Sequence, residues 1–211
     1  MKIGLLGLPG SGKTTIFNAL TGADAHTGGY GSGKAEPNIA IVTVDDERVD
    51  RLVEMYRPKK IVHATIELVD FVGFSEGSAR GGGFSSSHMA LIRTLDALAL
   101  VIRNFFSPME GDPEPLRDLE AIETELILSD LILVEQRLER IDDALKKGRK
   151  TADLPAEQVL LLHIQERLNE NLPLRNMELS GEQQRLISGF QFVSKKPLLV
   201  IVNSSEANFG S

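Results

Sequence analysis

The run Gly7, Leu8, Pro9, Gly10, Ser11, Gly12, Lys13, Thr14 and Thr15 stands directly behind the apolar residues Ile3 to Leu6 and ahead of a helical pattern, Ile16, Phe17, Ala19 and Leu20. It fits the phosphate-loop pattern G-x-x-x-x-G-K-[ST] without mismatch, with a strand before it and a helix after it as such a loop requires. Glycine backbone lets successive N–H groups turn inward around a polyphosphate, and the following helix offers the positive end of its dipole. In that arrangement Lys13 reaches the β- and γ-phosphates and the Thr14 hydroxyl ligates Mg²⁺. Pro9, Gly10, Ser11, Gly12 and Thr15 complete the candidate nucleotide-binding set. The competing explanation is a glycine-rich strand-to-helix turn that matches by chance. Position, flanks and spacing all argue against it.

At 211 residues the chain can bury a core as one domain with an elaboration or as two small ones. It contains no cysteine, which excludes a disulfide framework and a thiolate metal site. The apolar start, Met1 to Leu8, meets Pro9, Gly10 and then a lysine rather than a cleavage-type end. No uncharged apolar segment approaches the roughly 18 to 20 residues that span a bilayer. The chain therefore reads as soluble, cytoplasmic and without a membrane partner. A net charge of −7 argues against indiscriminate binding to nucleic acid, although a local basic patch can still engage it.

Along the chain, Ala23 to Lys34 is rich in Gly, Ser and Asp and predicts a nucleotide-sensing loop, an ordinary connection being the alternative. Ile39, Ile41 and Val44 read as a strand, and Arg48 to Tyr56 as a short amphipathic helix closed by Pro58. Ala64 to Val69 is a second, largely β-branched strand that runs into Asp70, Phe71, Val72 and Gly73. This fits D-x-x-G, in which Asp70 holds Mg²⁺ through water and the Gly73 N–H senses the γ-phosphate. Alone the pattern is weak, but at this distance behind a phosphate loop it is strong. Ser75 to Ser87, with Arg80 among glycines, reads as the second sensing loop, leading into a helix near Met89 to Leu95. Ala97 to Ile102 and Leu198 to Val202 read as further apolar strands, and the latter runs into Asn203, Ser204, Ser205 and Glu206. The histidines at 26, 63, 88 and 163 show no ligand spacing and read as structural.

Between Asp112 and about Gly189 the pattern changes. Ile127, Leu131, Val134, Leu138, Ile141 and Leu145 are separated by 4, 3, 4, 3 and 4, the coiled-coil step. Gly148 breaks this helix and a second apolar run follows, Leu161, Ile164, Leu168 and Leu172, which suggests an antiparallel helical hairpin. A first helix from about Leu116 to Lys147 would be roughly 45 Å long at ~1.5 Å per residue. Its turn gathers Lys146, Lys147, Arg149 and Lys150, four cations on an acidic chain. They predict contact with an anionic partner, RNA first; a solvated turn with cations offsetting the helix dipole is the alternative.

Taken together the chain resembles the Obg-like ATPases, the YchF family of translation-factor-related P-loop NTPases. The resemblance covers residues 1 to about 206. It rests on Gly7 to Thr15 with Phe17 to Thr21, on Glu36, Pro37 and Asn38, on Ala64 to Glu67, on Asp70 to Gly73 and on Arg93 and Asp96. In the helical part it adds Arg117, Asp118, Glu125, Asp130, Glu135 and Arg137. It implies an α/β fold, a doubly wound, mainly parallel sheet with the antiparallel coiled-coil hairpin inserted, so that 1–111 with 190–211 form the nucleotide-binding domain and 112–189 the arm. It also implies Mg²⁺-dependent hydrolysis of ATP or GTP and association with ribosomes.

In most related GTPases the base-reading motif is N-K-x-D. Here Ser204 and Glu206 replace its Lys and Asp, leaving Asn203 and Glu206 as base-site candidates in the N-x-x-E form of ATP-preferring members. A carboxylate displaced by one methylene loses the paired geometry with guanine, so ATP is expected over GTP. Phe74 stands where many GTPases place a water-orienting Gln, and Lys34 and Gly10 also depart from the pattern; these point to slow turnover, with Arg80 a candidate charge stabiliser. The family also leads one to expect further structure beyond Glu206. Two other readings compete: a nucleotide-binding interaction module, GTP-binding or otherwise, with negligible hydrolysis, and a small-molecule phosphotransferase. The latter is weakened by the absence of an arginine-rich lid and by the order of the D-x-x-G and N-x-x-E motifs.

Overall fold

Continuous apolar runs such as Ala97 to Ile102 form strands buried on both faces only inside a parallel sheet, and the computed structural model has such a sheet. It describes residues 1–22, 37–71, 86–148 and 153–206. In chain order the regular elements are β1 (Lys2–Leu6), α1 (Lys13–Thr21), β2 (Asn38–Thr43), α2 (Glu47–Tyr56), β3 (Thr65–Asp70), α3 (Ser86–Arg93), β4 (Ala97–Asn104), α4 (Pro115–Lys146), α5 (Leu154–Asn169), α6 (Gly181–Ile187) and β5 (Leu198–Ser204). The strands form one sheet in the order β2-β3-β1-β4-β5. β1 runs parallel to β3 and β4, and β4 to β5, while the edge strand β2 is antiparallel to β3. The architecture is α/β with a mainly parallel, mixed sheet.

The chain divides into two compact units, one from Met1–Ser75, Leu95–Pro113 and Leu198–Ser211, the other from Glu76–Thr94 and Glu114–Pro197. The first holds the whole sheet. Leu5, Phe17, Leu68, Ala99 and Val101 form its core, with Ala40, Val42 and Ile201 packed against them. Alternation on β2 explains its exposure: Ala40 and Val42 turn inward, so Ile39 and Ile41 turn out and stand 57% and 71% exposed. The amphipathic helix expected at 48–56 forms as α2, started by the Asp46 side chain accepting from the Arg48 N–H, yet none of its residues is buried.

In the second unit, α4 begins with Pro115 in its first turn, where proline's missing N–H is not needed, and Gly148 lies just past its end at φ +73°. Its 32 residues extend about 48 Å. Ile127, Val134, Leu138 and Ile141 pack with Leu154, Leu160, Leu161, Ile164 and Leu168 of α5, with Leu131 and Leu145 alongside. Polar contacts pair Arg137 and Asp142, late in α4, with Glu157 and Gln158 at the start of α5, and Thr124, early in α4, with Asn171 just past the end of α5, so the two helices run antiparallel. Leu172, expected on the apolar stripe of the second helix, lies beyond it: α5 ends at Asn169 and Asn171 takes φ +57°, which turns the chain away. Contacts also group Ser86–Arg93 with this helical unit, where the sequence reading had left it with the nucleotide-binding part. No helix among the described residues is long and apolar enough to cross a membrane.

Candidate functional site

β1 ends at Leu6 and α1 opens at Lys13, so residues 7–12 must reverse direction within one turn. Two glycines make this possible. Gly12 sits at φ +88°, and a Cβ there would lie 2.2 Å from Asn203 Nδ2; a Cβ at Gly7 would lie 2.4 Å from the Val101 carbonyl oxygen. The close approach at Gly12 brings the end of β5 onto the loop, where Asn203 Nδ2 donates to the Ser11 carbonyl at 3.0 Å. The parallel register sets Asn203 beside Arg103 and Ser204 beside Asn104, whose amide donates to the Ser204 hydroxyl at 3.1 Å.

Lys13 is buried, and its ammonium donates to the Leu8 carbonyl at 3.2 Å, curled inside the loop it belongs to. Burial pushes its pKa below the usual lysine value, and the charge of Asp70 pulls it partly back. Asp70, at the end of β3, is fully buried. Its Oδ2 accepts from the Thr14 hydroxyl at 2.8 Å and from Asn38 Nδ2 at 3.3 Å, while Oδ1 has no hydrogen-bond partner among the described residues. A buried carboxylate oxygen without a donor is costly unless a cation or its water takes the position. The pair of a Thr hydroxyl and an Asp oxygen is the hard donor set Mg²⁺ takes, so the residues fit the ion. Among the described residues no group of three or more His, Cys, Asp and Glu side chains gathers. A cation at Asp70 would therefore take its other ligands from phosphate and water.

One wall beside the loop depends on a residue that the sequence reading left without a role. Arg103 is only 7% exposed and donates to four main-chain carbonyls, those of Phe105, Glu110, Gly111 and Asp112, at 2.7 to 3.4 Å. This fork folds 105–112 back so that the Glu110 side chain lies against Gly10, 3.4 Å from where a Cβ would stand. Replacing Arg103 by methionine should cost about 2–3 kcal/mol, because several charge-assisted hydrogen bonds to main-chain carbonyls are lost together. Lysine should recover less than half of that, since an ammonium cannot span the fork. The midpoint of urea unfolding measures both.

Lys13, Thr14, Ser11, Asp70 and Asn203 thus come together. Pro9 and Gly10 form the outer bend of the loop, Thr15 faces outward from α1, and Glu206 is exposed three residues past Asn203. Gly73 and Arg80 lie outside the described residues, as do Lys34, Phe74, Arg149 and Lys150. Lys146 and Lys147 are exposed at the end of α4. Asn38 was missed as a site residue. The resemblance includes it, but only the antiparallel register that sets it opposite Asp70 reveals its contact.

Comparison with known proteins agrees with this geometry. Residues 2–137 match the family model described as 50S ribosome-binding GTPase. The chain is 35% identical over 210 residues to the ribosome-binding ATPase YchF of Bacillus subtilis, covering 98% of this chain and 57% of that protein. It is 32% identical over 218 residues to Obg-like ATPase 1 of Schizosaccharomyces pombe, covering 99% and 56%. The solved structure of the Schizosaccharomyces pombe YchF GTPase superposes with a TM-score of 0.78 at 32% identity, covering 99% of this chain and 58% of that one. The chain therefore spans less than two thirds of the length of the curated relatives it matches.

Proposed function

Since the chain belongs to the 50S ribosome-binding GTPase family of P-loop NTPases, in its YchF/Obg-like ATPase group, we propose that it binds a nucleoside triphosphate with Mg²⁺ at residues 7–15 and hydrolyses it slowly. ATP is preferred over GTP, and the nucleotide state acts as a switch for a cytoplasmic protein that works on the ribosome. One observation carries this reading: side chains from α1, β3 and β5 converge on a loop whose backbone only glycine permits.

The Leu8 carbonyl that now holds Lys13 is replaced by β- and γ-phosphate oxygens, which attract the ammonium more strongly than a neutral acceptor does. The loop N–H groups and the start of α1 hold the remaining phosphate charge. Thr14 and, through water, Asp70 would hold Mg²⁺, which when bound would offset the charge that develops on the phosphates. Gly73 contributes an N–H at the γ-phosphate and Arg80 a cation. Phe74 offers no hydrogen bond to orient the attacking water, which keeps turnover slow. On the base side Asn203 braces the loop, and Ser204, tied to Asn104, cannot supply the long cationic stem of a lysine. Glu206 is one methylene too long to pair with guanine as an Asp does.

The helices α4 and α5 are the two limbs of an antiparallel coiled-coil arm inserted in sequence, within 112–189, into the chain that builds the doubly wound sheet. Lys146, Lys147, Arg149 and Lys150 at the arm's tip meet ribosomal RNA. Reversing all four charges should lower ribosome affinity in pelleting assays and flatten its salt dependence, and unchanged affinity removes this assignment.

Titration with fluorescent ATP and GTP analogues tests the preference, with ATP expected several-fold tighter; clearly tighter GTP binding overturns it. Phe74 favours a second reading, a nucleotide-binding module with negligible hydrolysis. Single-turnover hydrolysis with and without ribosomes separates the two.

A further inference from the structure

The antiparallel register of β2 and β3 sets Asn38 directly opposite Asp70 at the end of both strands. Facing residues in such a pair bring their Cβ atoms within about 5 Å, close enough for an Asn amide to meet a carboxylate. The contact formed is specific: Asn38 Nδ2 donates to Oδ2, the same oxygen that accepts from Thr14, at 3.3 and 2.8 Å. Oδ2 thereby has two donors, and Oδ1, equally buried, has none among the described residues. A carboxylate with one occupied and one free oxygen is held against rotation about its χ2 torsion, and the free lone pairs keep one direction.

We propose that Asn38 is a positioning residue for the cation site, locking the Asp70 carboxylate so that Oδ1 is presented to Mg²⁺ or its water. This rests on the nucleotide-binding reading above. Asn38 touches neither nucleotide nor metal; it acts through Asp70, as groups behind a metal ligand commonly do, and losing such a partner typically weakens metal binding about 10- to 100-fold. Thr14 alone cannot do this. Its hydroxyl is itself a candidate cation ligand, so Asn38 is the one of the two donors that has no second task.

The test uses two variants of nearly equal shape that both suit a strand, Asn38→Val and Asn38→Thr. The readout is the gain in affinity for a fluorescent ATP analogue on going from EDTA to saturating Mg²⁺, together with the Mg²⁺ concentration giving half of that gain. Asn38→Val should raise the half-saturating Mg²⁺ concentration about tenfold, and Asn38→Thr, which restores a hydroxyl donor, should recover much of the loss. A merely structural role would lower the melting temperature of both variants and leave the Mg²⁺ midpoint where it was, which overturns the proposal. Equal shifts in Val and Thr overturn it too, because the effect would then not depend on a donor. A parent chain whose nucleotide binding shows no Mg²⁺ dependence overturns the cation site itself and the proposal with it.

Discussion

Replacing Lys13 by alanine should abolish nucleotide retention while leaving the fold in place. The ammonium is buried 5 residues from the carbonyl it holds, on a loop fixed independently by Gly7, Gly12 and the Asn203 amide. Removing it takes away charge-assisted bonds to phosphate worth about 1.5–3 kcal/mol each, and two such bonds correspond to a loss of about 10²- to 10⁴-fold in affinity. Equilibrium titration with a fluorescent ATP analogue measures the loss, and far-UV circular dichroism checks the fold. The parent carries a second signature. Because burial lowers the Lys13 pKa, the ammonium deprotonates below the usual lysine range in the free protein. Triphosphate binds the charged form, so affinity should fall as pH rises through that lowered value, and binding there should take up a proton. The alkaline fall should be missing from Lys13→Ala. A variant that still captures ATP and GTP as the parent does would remove the nucleotide reading altogether.

What could be read from the sequence is what short stretches dictate by themselves. The passage from β1 through 7–12 into α1 is local, so glycine positions and flanking patterns were enough. The expected helix from about Leu116 to Lys147 matches α4 within a residue or two at each end, because the 4,3 spacing from Ile127 to Leu145 is a local pattern that packs as one stripe against α5 and the segments after it. Motif order anticipated that Asp70 and Asn203 lie near the loop, and both contact it or its helix. Contacts set by pairing between distant strands, or by one side chain reaching across a folded loop, were not legible. Nothing around Asn38 announces that register puts it opposite Asp70, and nothing around Arg103 shows that its fork gathers four carbonyls of the following loop. Leu172 was misassigned because its spacing continues the stripe although Asn171 has already left the helix. Ile39 and Ile41 illustrate the same limit: alternation identifies the strand but not that their face of an edge strand stays exposed.

The second large effect is expected in the helical unit, at Asp130. This carboxylate is fully buried, and it accepts from Arg93 Nη1 at 2.9 Å, from the Val193 N–H at 3.1 Å and from the Ser194 N–H at 2.8 Å. Arg93 also donates to the Ser129 hydroxyl at 2.7 Å, so one side chain on α4 holds the end of α3 and the segment 191–196 together. Asp130→Ala leaves the largely buried Arg93 guanidinium without its counter-charge and the Val193 and Ser194 amides without their acceptor, and should cost about 3–5 kcal/mol, read from urea unfolding. The exposed pair of Arg117 and Glu114 should contribute almost nothing by comparison. A buried pair of this kind is nevertheless weak evidence of net stabilisation. Burial pushes the Asp130 carboxyl up, against the bonds from Ser194, Val193 and Arg93, so its desolvation is not fully repaid. A carboxyl raised in the folded state adds stability that is complete below its unfolded pKa and is lost as pH rises through the folded value. The parent should therefore lose stability relative to Asp130→Asn over that acid-side window as pH increases. The double variant Arg93→Met with Asp130→Leu, which removes both charges together, should regain most of what Asp130→Ala loses, because neither charge is then left buried alone. If the double variant is as unstable as Asp130→Ala, the loss comes from the Val193 and Ser194 amides, and the carboxylate's task is to cap that segment rather than to pair with Arg93.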